Sequence, residues 1–184
     1  MFAPLETGFG LDVVVWLQAH GNPLLDGLAR LIAIIGVDIA YLLLLLTKAI
    51  DRRRAYQWIF TLVVTTILTD AFKLLFRAPR PYQVAPQVVH LLINPLSSYG
   101  FPSGHVSHTV AMFGLVAVWA GGRWRWILVA LYAVVVAWAR MYAGVHYPQD
   151  VIGGAVVGLL SLWLALRYFD RFMVLFHGFA FCRV

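Results

Sequence analysis

The chain has 184 residues, 62% of them apolar and only 12% charged, with a mean hydropathy of +0.82; this excludes a soluble core-and-shell domain of that size. A formal net charge of +6 would suit nucleic acid, but the cations sit in short loops between apolar stretches, where the positive-inside rule places them, so anionic lipid headgroups are the expected neighbours. One cysteine, Cys182, excludes an intrachain disulfide, and the histidines and cysteine show no C-x-x-C or H-x-x-x-H pairing, so a structural zinc is not expected, and nothing in the sequence calls for a cofactor.

Residues 1–29 contain no Lys or Arg, so nothing there has the basic start of a cleavable signal. Residues 9–19 are too short to span a bilayer and carry Asp12 and Trp16, which predicts an interfacial helix. After His20-Gly21-Asn22-Pro23, an apolar run from Leu24 to Ile50, interrupted at Gly36-Val37-Asp38, is long enough to cross once with a break or tilt. The second span runs over 56–76 and is stopped by Pro79 and Pro81, because proline cannot extend a helix and restricts its predecessor. A polar, proline-containing loop follows over 77–103, with Asn94-Pro95 and Ser97-Ser98-Tyr99-Gly100 as turn signals. The third span, 104–120, ends at Gly121-Gly122; the fourth covers 124–142; the fifth starts near Pro148 and ends near Tyr168.

The expected fold is all-α: a polytopic membrane protein of about five to six transmembrane helices plus the N-terminal interfacial helix. It forms one domain over 1–184, with its motif core at 73–150. Lys48 with Arg52–Arg54, Arg123 with Arg125, and Arg167 with Arg171 mark the cytoplasmic ends. The N-terminus and the opposite helix ends, which carry Lys73, Arg80, His105, Arg140 and Asp150, then share the outer face.

Those ends hold three clusters with chemistry. A cation inside a span costs roughly 2.5–3.5 kcal/mol at mid-membrane and less near an interface, so Lys73 and Arg80 need a partner or a task. Lys73 lies about one turn before the helix stop, and Arg80 just beyond it between two prolines, so both can converge on one anion. A salt bridge from Lys73 to Asp70, three residues earlier, is the alternative. Arg77 reads as a headgroup or rim contact.

In the second cluster, Pro102-Ser103-Gly104-His105, a Ser-Gly loop opens a helix and offers free N–H groups and the positive dipole end to an anion. Ser103 is equally suited to a plain N-cap. His105 faces the same space and can donate a proton to a leaving oxygen, whereas His108 reads better as a packed or hydrogen-bonded residue. In the third cluster, Arg140 ends the fourth span, and His146 stands four residues before Asp150. A carboxylate at that spacing can accept Nδ1–H, fix the tautomer and leave Nε2 free to attack; Asp150 in a first helical turn is also favoured by the dipole alone. Gly154 and Gly158 have small-x-x-x-small spacing and predict a close helix contact.

These clusters resemble the K-x6-R-P, P-S-G-H and S-R-x5-H-x3-D signatures of the type 2 phosphatidic acid phosphatase superfamily, over residues 73–150 with all spacings intact. The resemblance implies that His146 is the nucleophile forming a phosphohistidine, that Asp150 orients it, and that His105 protonates the leaving group. It implies further that Lys73, Arg80, Ser103, Gly104 and Arg140 hold the phosphoryl oxygens, and that no metal is required. Ala139 stands where the family signature has serine, so one hydroxyl contact is missing.

The expected activity is metal-independent dephosphorylation of a membrane lipid phosphate or diphosphate: undecaprenyl diphosphate, phosphatidic acid, phosphatidylglycerol phosphate or lipid A 1-phosphate. The expected setting is a prokaryotic plasma (inner) membrane, with the site facing outward. The partners are the lipid phosphate and the bilayer, with no nucleic acid, and the sequence carries no signal for oligomeric state. A lipid phosphotransferase and a non-catalytic lipid-binding protein are the competing readings.

Overall fold

The computed structural model describes residues 8–36 and 51–181, with side chains up to residue 175. The second half of the expected first span, including Asp38 and Lys48, and the terminal Cys182 lie outside the described residues. Among the described residues all regular structure is helical: α1 (Phe9–Ala19), α2 (Pro23–Ile35), α3 (Arg52–Phe76), α4 (Pro81–Val84), α5 (Gly104–Ala120), α6 (Trp124–Tyr142) and α7 (Pro148–Phe181).

Local signals set most boundaries. Asn22 caps α2, its side chain accepting from the Leu25 N–H at 3.0 Å, with Pro23 in the first turn. Gly121, at φ +65°, stops α5. Gly144, at φ +75°, turns the chain from α6 to α7; a Cβ there would lie 2.8 Å from Val89 Cγ1 and 2.9 Å from the His90 carbonyl, so the turn needs glycine twice over.

Two helices exceed the expected spans. α3 begins at Arg52 rather than residue 56, because Asp51 accepts the Arg54 N–H at 2.8 Å and the arginines are good helix formers. α7 runs on past Tyr168 to Phe181, since no Gly or Pro falls between Gly158 and Gly178. The Arg52–Val84 segment, α6, and the Pro148–Leu175 part of α7 are long and apolar enough to cross a membrane.

α5 is the central helix. It packs against α3, α6 and α7 and buries Val106, Ser107, Thr109, Val110, Ala111, Met112, Gly114, Leu115 and Ala117. A helix surrounded by helices need not have one apolar stripe, so small and polar side chains replace lipid-facing bulk. On α3 the pattern is inverted relative to a soluble helix. Thr61, Thr65, Thr69 and Lys73 recur every four residues on the buried face, while Ile59, Val63, Ile67 and Leu74 are exposed. The buried hydroxyls are satisfied: Thr61 donates to the Gln57 carbonyl at 2.8 Å, Thr65 to the Thr61 carbonyl at 2.7 Å, and Thr69 pairs with Ser107 at 2.8 Å.

The expected glycine contact is present at the α5–α7 seam. A Cβ on Gly154 would lie 2.6 Å from the Ser103 carbonyl oxygen, and one on Gly158 would lie 2.6 Å from that of Ser107. Only hydrogen side chains allow this approach, which fixes the height of α7 against the start of α5. At the other end of the bundle Arg53 bridges to Asp170 at 2.7 Å, and the Arg54 guanidinium lies 5.9 Å from the Trp119 ring centroid. The arginine-bearing ends of α3 and α7 therefore meet beside the end of α5, and all three motif clusters gather at the opposite end.

Candidate active site

α3, α4, α5, α6 and the turn before α7 converge on a cavity of about 350 Å³. Lys73, Arg80, Gly104, His105, Arg140 and His146 all line it, with Ser98 and Asp70 at its wall. Residues 73 positions apart in sequence thus share one polar pocket. Asp150 and Ser103 lie behind this wall, both buried.

His146 is 1% exposed. Its Nδ1 lies 3.3 Å from Asp150 Oδ2, which also accepts the Tyr147 N–H at 2.8 Å. Its Nε2 lies 3.2 Å from the Arg80 guanidinium NH1. A guanidinium only donates, so Nε2 is the acceptor and Nδ1 carries the proton toward the carboxylate. Two independent neighbours therefore select the same tautomer, with the Nε2 lone pair accepting from Arg80. Burial first, then the positive charges of Arg80, Arg140 and Lys73, hold the imidazole well below its ordinary value of 6.5, so it is neutral at neutral pH.

Arg80 and Arg140 are both buried, at 1% exposure each, but they are held differently. Arg80 donates from Nε to the Ser98 carbonyl at 2.9 Å and from NH1 to the Val145 carbonyl at 2.9 Å and to His146. Its NH2 donates to Ser98 Oγ and to the Tyr99 carbonyl, both at 3.0 Å. Those five contacts match its five N–H donors. Arg140 donates from NH1 to the Ala33 carbonyl of α2 at 2.7 Å, while its buried Nε–H has no partner among the described residues. A buried, unpaired guanidinium donor beside a cavity costs free energy until an acceptor enters.

Lys73 Nζ donates to the Tyr99 carbonyl at 2.8 Å and approaches Ser98 Oγ at 3.5 Å. No ion pair joins it to Asp70 among the described residues, so the alternative weighed from the sequence is not the arrangement found. Ser103 makes no side-chain cap for α5; its buried Oγ has no partner among the described residues, while its N–H donates to the Asp150 carbonyl at 2.9 Å. The first N–H groups of α5 have no intrahelical acceptor, as at any helix start. Gly104 adds open space, since a Cβ there would meet only Thr69 at 3.7 Å and Lys73 at 4.0 Å.

His105 lines the cavity and makes no hydrogen bond to a described residue, whereas both ring nitrogens of His108 are engaged, with the Gly104 carbonyl at 2.8 Å and Thr66 at 3.0 Å. The packed reading of His108 thus matches its geometry. Arg77 is exposed and left-handed at φ 48°, outside the cavity. Ala139 is fully buried.

Sequence reasoning overlooked Ser98 and the Tyr99 carbonyl, which hold both cations. Their only signal was a run of turn-forming residues; a carbonyl acceptor leaves no trace in residue identity. A second cavity, an apolar groove of about 570 Å³, lies among α5, α6 and α7. It is lined by Val106, Met141 and Pro148, near neighbours in sequence of His105, Arg140 and His146.

A sequence model of the PAP2 superfamily matches residues 54–173. An undecaprenyl-diphosphatase of Sulfolobus acidocaldarius is 27% identical over 87% of this chain and 78% of its own length. The undecaprenyl-diphosphatase BcrC of Bacillus subtilis is 26% identical over 83% of this chain and 79% of its own. Among solved structures, that of Aquifex aeolicus LpxE superposes with a TM-score of 0.75 at 26% identity, covering 88% of this chain and 96% of that one. A transmembrane PAP2-type phosphatidylglycerolphosphate phosphatase of Bacillus subtilis, 19% identical, shares the fold at a TM-score of 0.72 over 92% of this chain and 90% of that one.

Proposed function

Because the chain belongs to the PAP2 superfamily, we propose that it removes phosphate from a membrane lipid phosphate or diphosphate through a phosphohistidine on His146. The observation that carries this reading is the convergence at one cavity of a neutral His146, its Nε2 accepting from Arg80, with Lys73 and with an Arg140 donor that has no partner among the described residues. A phosphoryl group placed there meets fixed positive charge on several sides, and the loose transition state of phosphoryl transfer gains most from that preorganisation.

In the first step Nε2 forms a bond to phosphorus as the bond from phosphorus to the lipid oxygen breaks. His105, protonated, gives its proton to that leaving oxygen. Asp150 holds Nδ1–H and stabilises the positive imidazole. In the second step water attacks the phosphohistidine, His105 takes the water proton, and inorganic phosphate leaves with His146 neutral again. Arg140, Lys73, Arg80 and the Gly104 N–H hold the non-bridging oxygens throughout. Arg80 exchanges its bond to His146 Nε2 for one to phosphate, which frees the lone pair as substrate arrives.

The lipid class follows from the setting. A headgroup in the cavity would place its chain along the apolar groove beside Val106, Met141 and Pro148. Undecaprenyl diphosphate leads the candidates because two relatives matched over more than three quarters of both chains carry that activity in their names. The arginine-bearing ends of α3 and α7 lie in the cytoplasm by charge bias, and the site opens to the outer face of a prokaryotic plasma membrane.

The test is phosphate release by purified protein in detergent, with excess EDTA, from a panel of lipid mono- and diphosphates. His146→Ala is run beside it. Release that survives EDTA and disappears in the variant supports the reading. Release that needs a divalent metal, or that persists in the variant, overturns it.

A further inference from the structure

Ser98 lies outside all three motif clusters, yet its hydroxyl contacts both cations of the first. Arg80 NH2 lies 3.0 Å from Ser98 Oγ, and Lys73 Nζ lies 3.5 Å from it. Neither ammonium nor guanidinium can accept a hydrogen bond, so the serine oxygen is the acceptor in both contacts. A hydroxyl has two lone pairs and one proton. Arg80 therefore takes one lone pair, Lys73 stands close to the other, and the proton is donated to no described residue. Ser98 lines the cavity. Its backbone position is set from behind: Tyr82 OH donates to the Leu96 carbonyl at 3.1 Å and accepts the Leu96 N–H at 3.2 Å, and the Gly100 N–H donates to the Ala78 carbonyl at 2.8 Å.

We propose that Ser98 is a phosphate-contacting residue whose hydroxyl donates to a non-bridging phosphoryl oxygen, its donor strength raised by the two cations its oxygen accepts. A hydroxyl that accepts from charged donors is polarised and becomes a stronger donor in turn. The proposal rests on the phosphatase reading for its effect on rate, but the binding it describes needs no turnover.

The hydroxyl can be removed without releasing the cations. The Tyr99 carbonyl still accepts from Lys73 Nζ and Arg80 NH2, and the Ser98 carbonyl still accepts from Arg80 Nε, after Ser98→Ala. The experiment measures two quantities on wild type, Ser98→Ala, Ser98→Thr and Ser97→Ala in detergent: the Kd for inorganic phosphate by calorimetry, and kcat/KM on the best lipid of the panel. The expected result is a Kd roughly tenfold weaker and a kcat/KM roughly ten- to a hundredfold lower in Ser98→Ala. Ser98→Thr, which keeps the hydroxyl, recovers most of both, and Ser97→Ala matches wild type. Thermal midpoints within about 2 °C across the set identify the change as local.

Wild-type affinity for phosphate in Ser98→Ala overturns the proposal. So does a loss that Ser98→Thr fails to restore while remaining folded, or an equal loss in Ser97→Ala. A wild type that binds phosphate but hydrolyses no lipid defeats the phosphatase reading instead, and the Kd comparison still decides Ser98.

Discussion

The two ends of the helix bundle are both rich in arginine and use it in opposite ways. At one end Arg53 and Asp170 form an ion pair with side chains 70% and 72% exposed, free to exchange partners with water. At the other, Arg80 and Arg140 are buried beside a neutral imidazole, where each N–H needs an acceptor. The first arrangement contributes little to stability. The second leaves the Arg140 Nε–H without an acceptor among the described residues. Arginine content is therefore uninformative here, and burial with unfilled donors distinguishes a site from a topology signal.

The widest gap between the two ends is expected on substituting the proposed nucleophile. His146→Ala should lower lipid phosphatase activity by about 10⁴-fold or more, and trapping of ³²P on the protein during turnover should vanish with it. Arg140→Ala should reduce kcat/KM by about 10²–10³-fold, the scale of removing a preorganised donor at developing negative charge. Steady-state kinetics on the preferred lipid would check it, and a loss below fivefold would erase the contrast between the two ends.

Acid should separate them next. Folded His146 stays neutral where an unfolded histidine takes a proton, near its ordinary 6.5. Its contribution to stability is therefore complete above about pH 6.5 and falls away as pH drops toward the depressed value. The acid limb of kcat/KM should lie below pH 6.5, where His146 takes a proton. Thermal midpoints and rates from pH 4 to 9 measure both, and an acid limb above 6.5 would contradict the buried neutral imidazole.

Between the ends, Gly158→Ala places a methyl 2.6 Å from the Ser107 carbonyl and 2.8 Å from Val110 Cβ. It should destabilise the bundle by roughly 1–3 kcal/mol, read as a lowered unfolding midpoint in detergent. The smallest effect belongs to Arg53→Ala, at most about 1 kcal/mol with activity unchanged. A large loss of activity there would show that the arginine-bearing end reaches the site.

Much of this contrast was legible in the sequence. Gly121, Pro148 and the Pro79–Pro81 stop gave helix ends within a residue or two because each acts through its own backbone geometry. The spacing of His146 and Asp150 was legible because four residues is one helical turn, although the pair spans a turn into α7 rather than a helix interior. The start of α3 was missed because a cap and three arginines read equally well as a loop. What holds Arg80 was illegible for a deeper reason: three of its five contacts are to the carbonyls of Ser98, Tyr99 and Val145, and any residue supplies a carbonyl. The donor state of Ser98 depends on which groups approach its oxygen, and only coordinates give that.

The bond from Arg140 to the Ala33 carbonyl has a consequence for engineering. A guanidinium that lines the cavity on one side leans on α2 on the other, so α2 braces the candidate site although it carries none of its signature residues. The motif segment is consequently not a transplantable cassette. Grafting residues 73–150 into another helical scaffold, or clipping the chain before α3, would deliver every recognisable letter of the site and leave Arg140 without the brace that aims it.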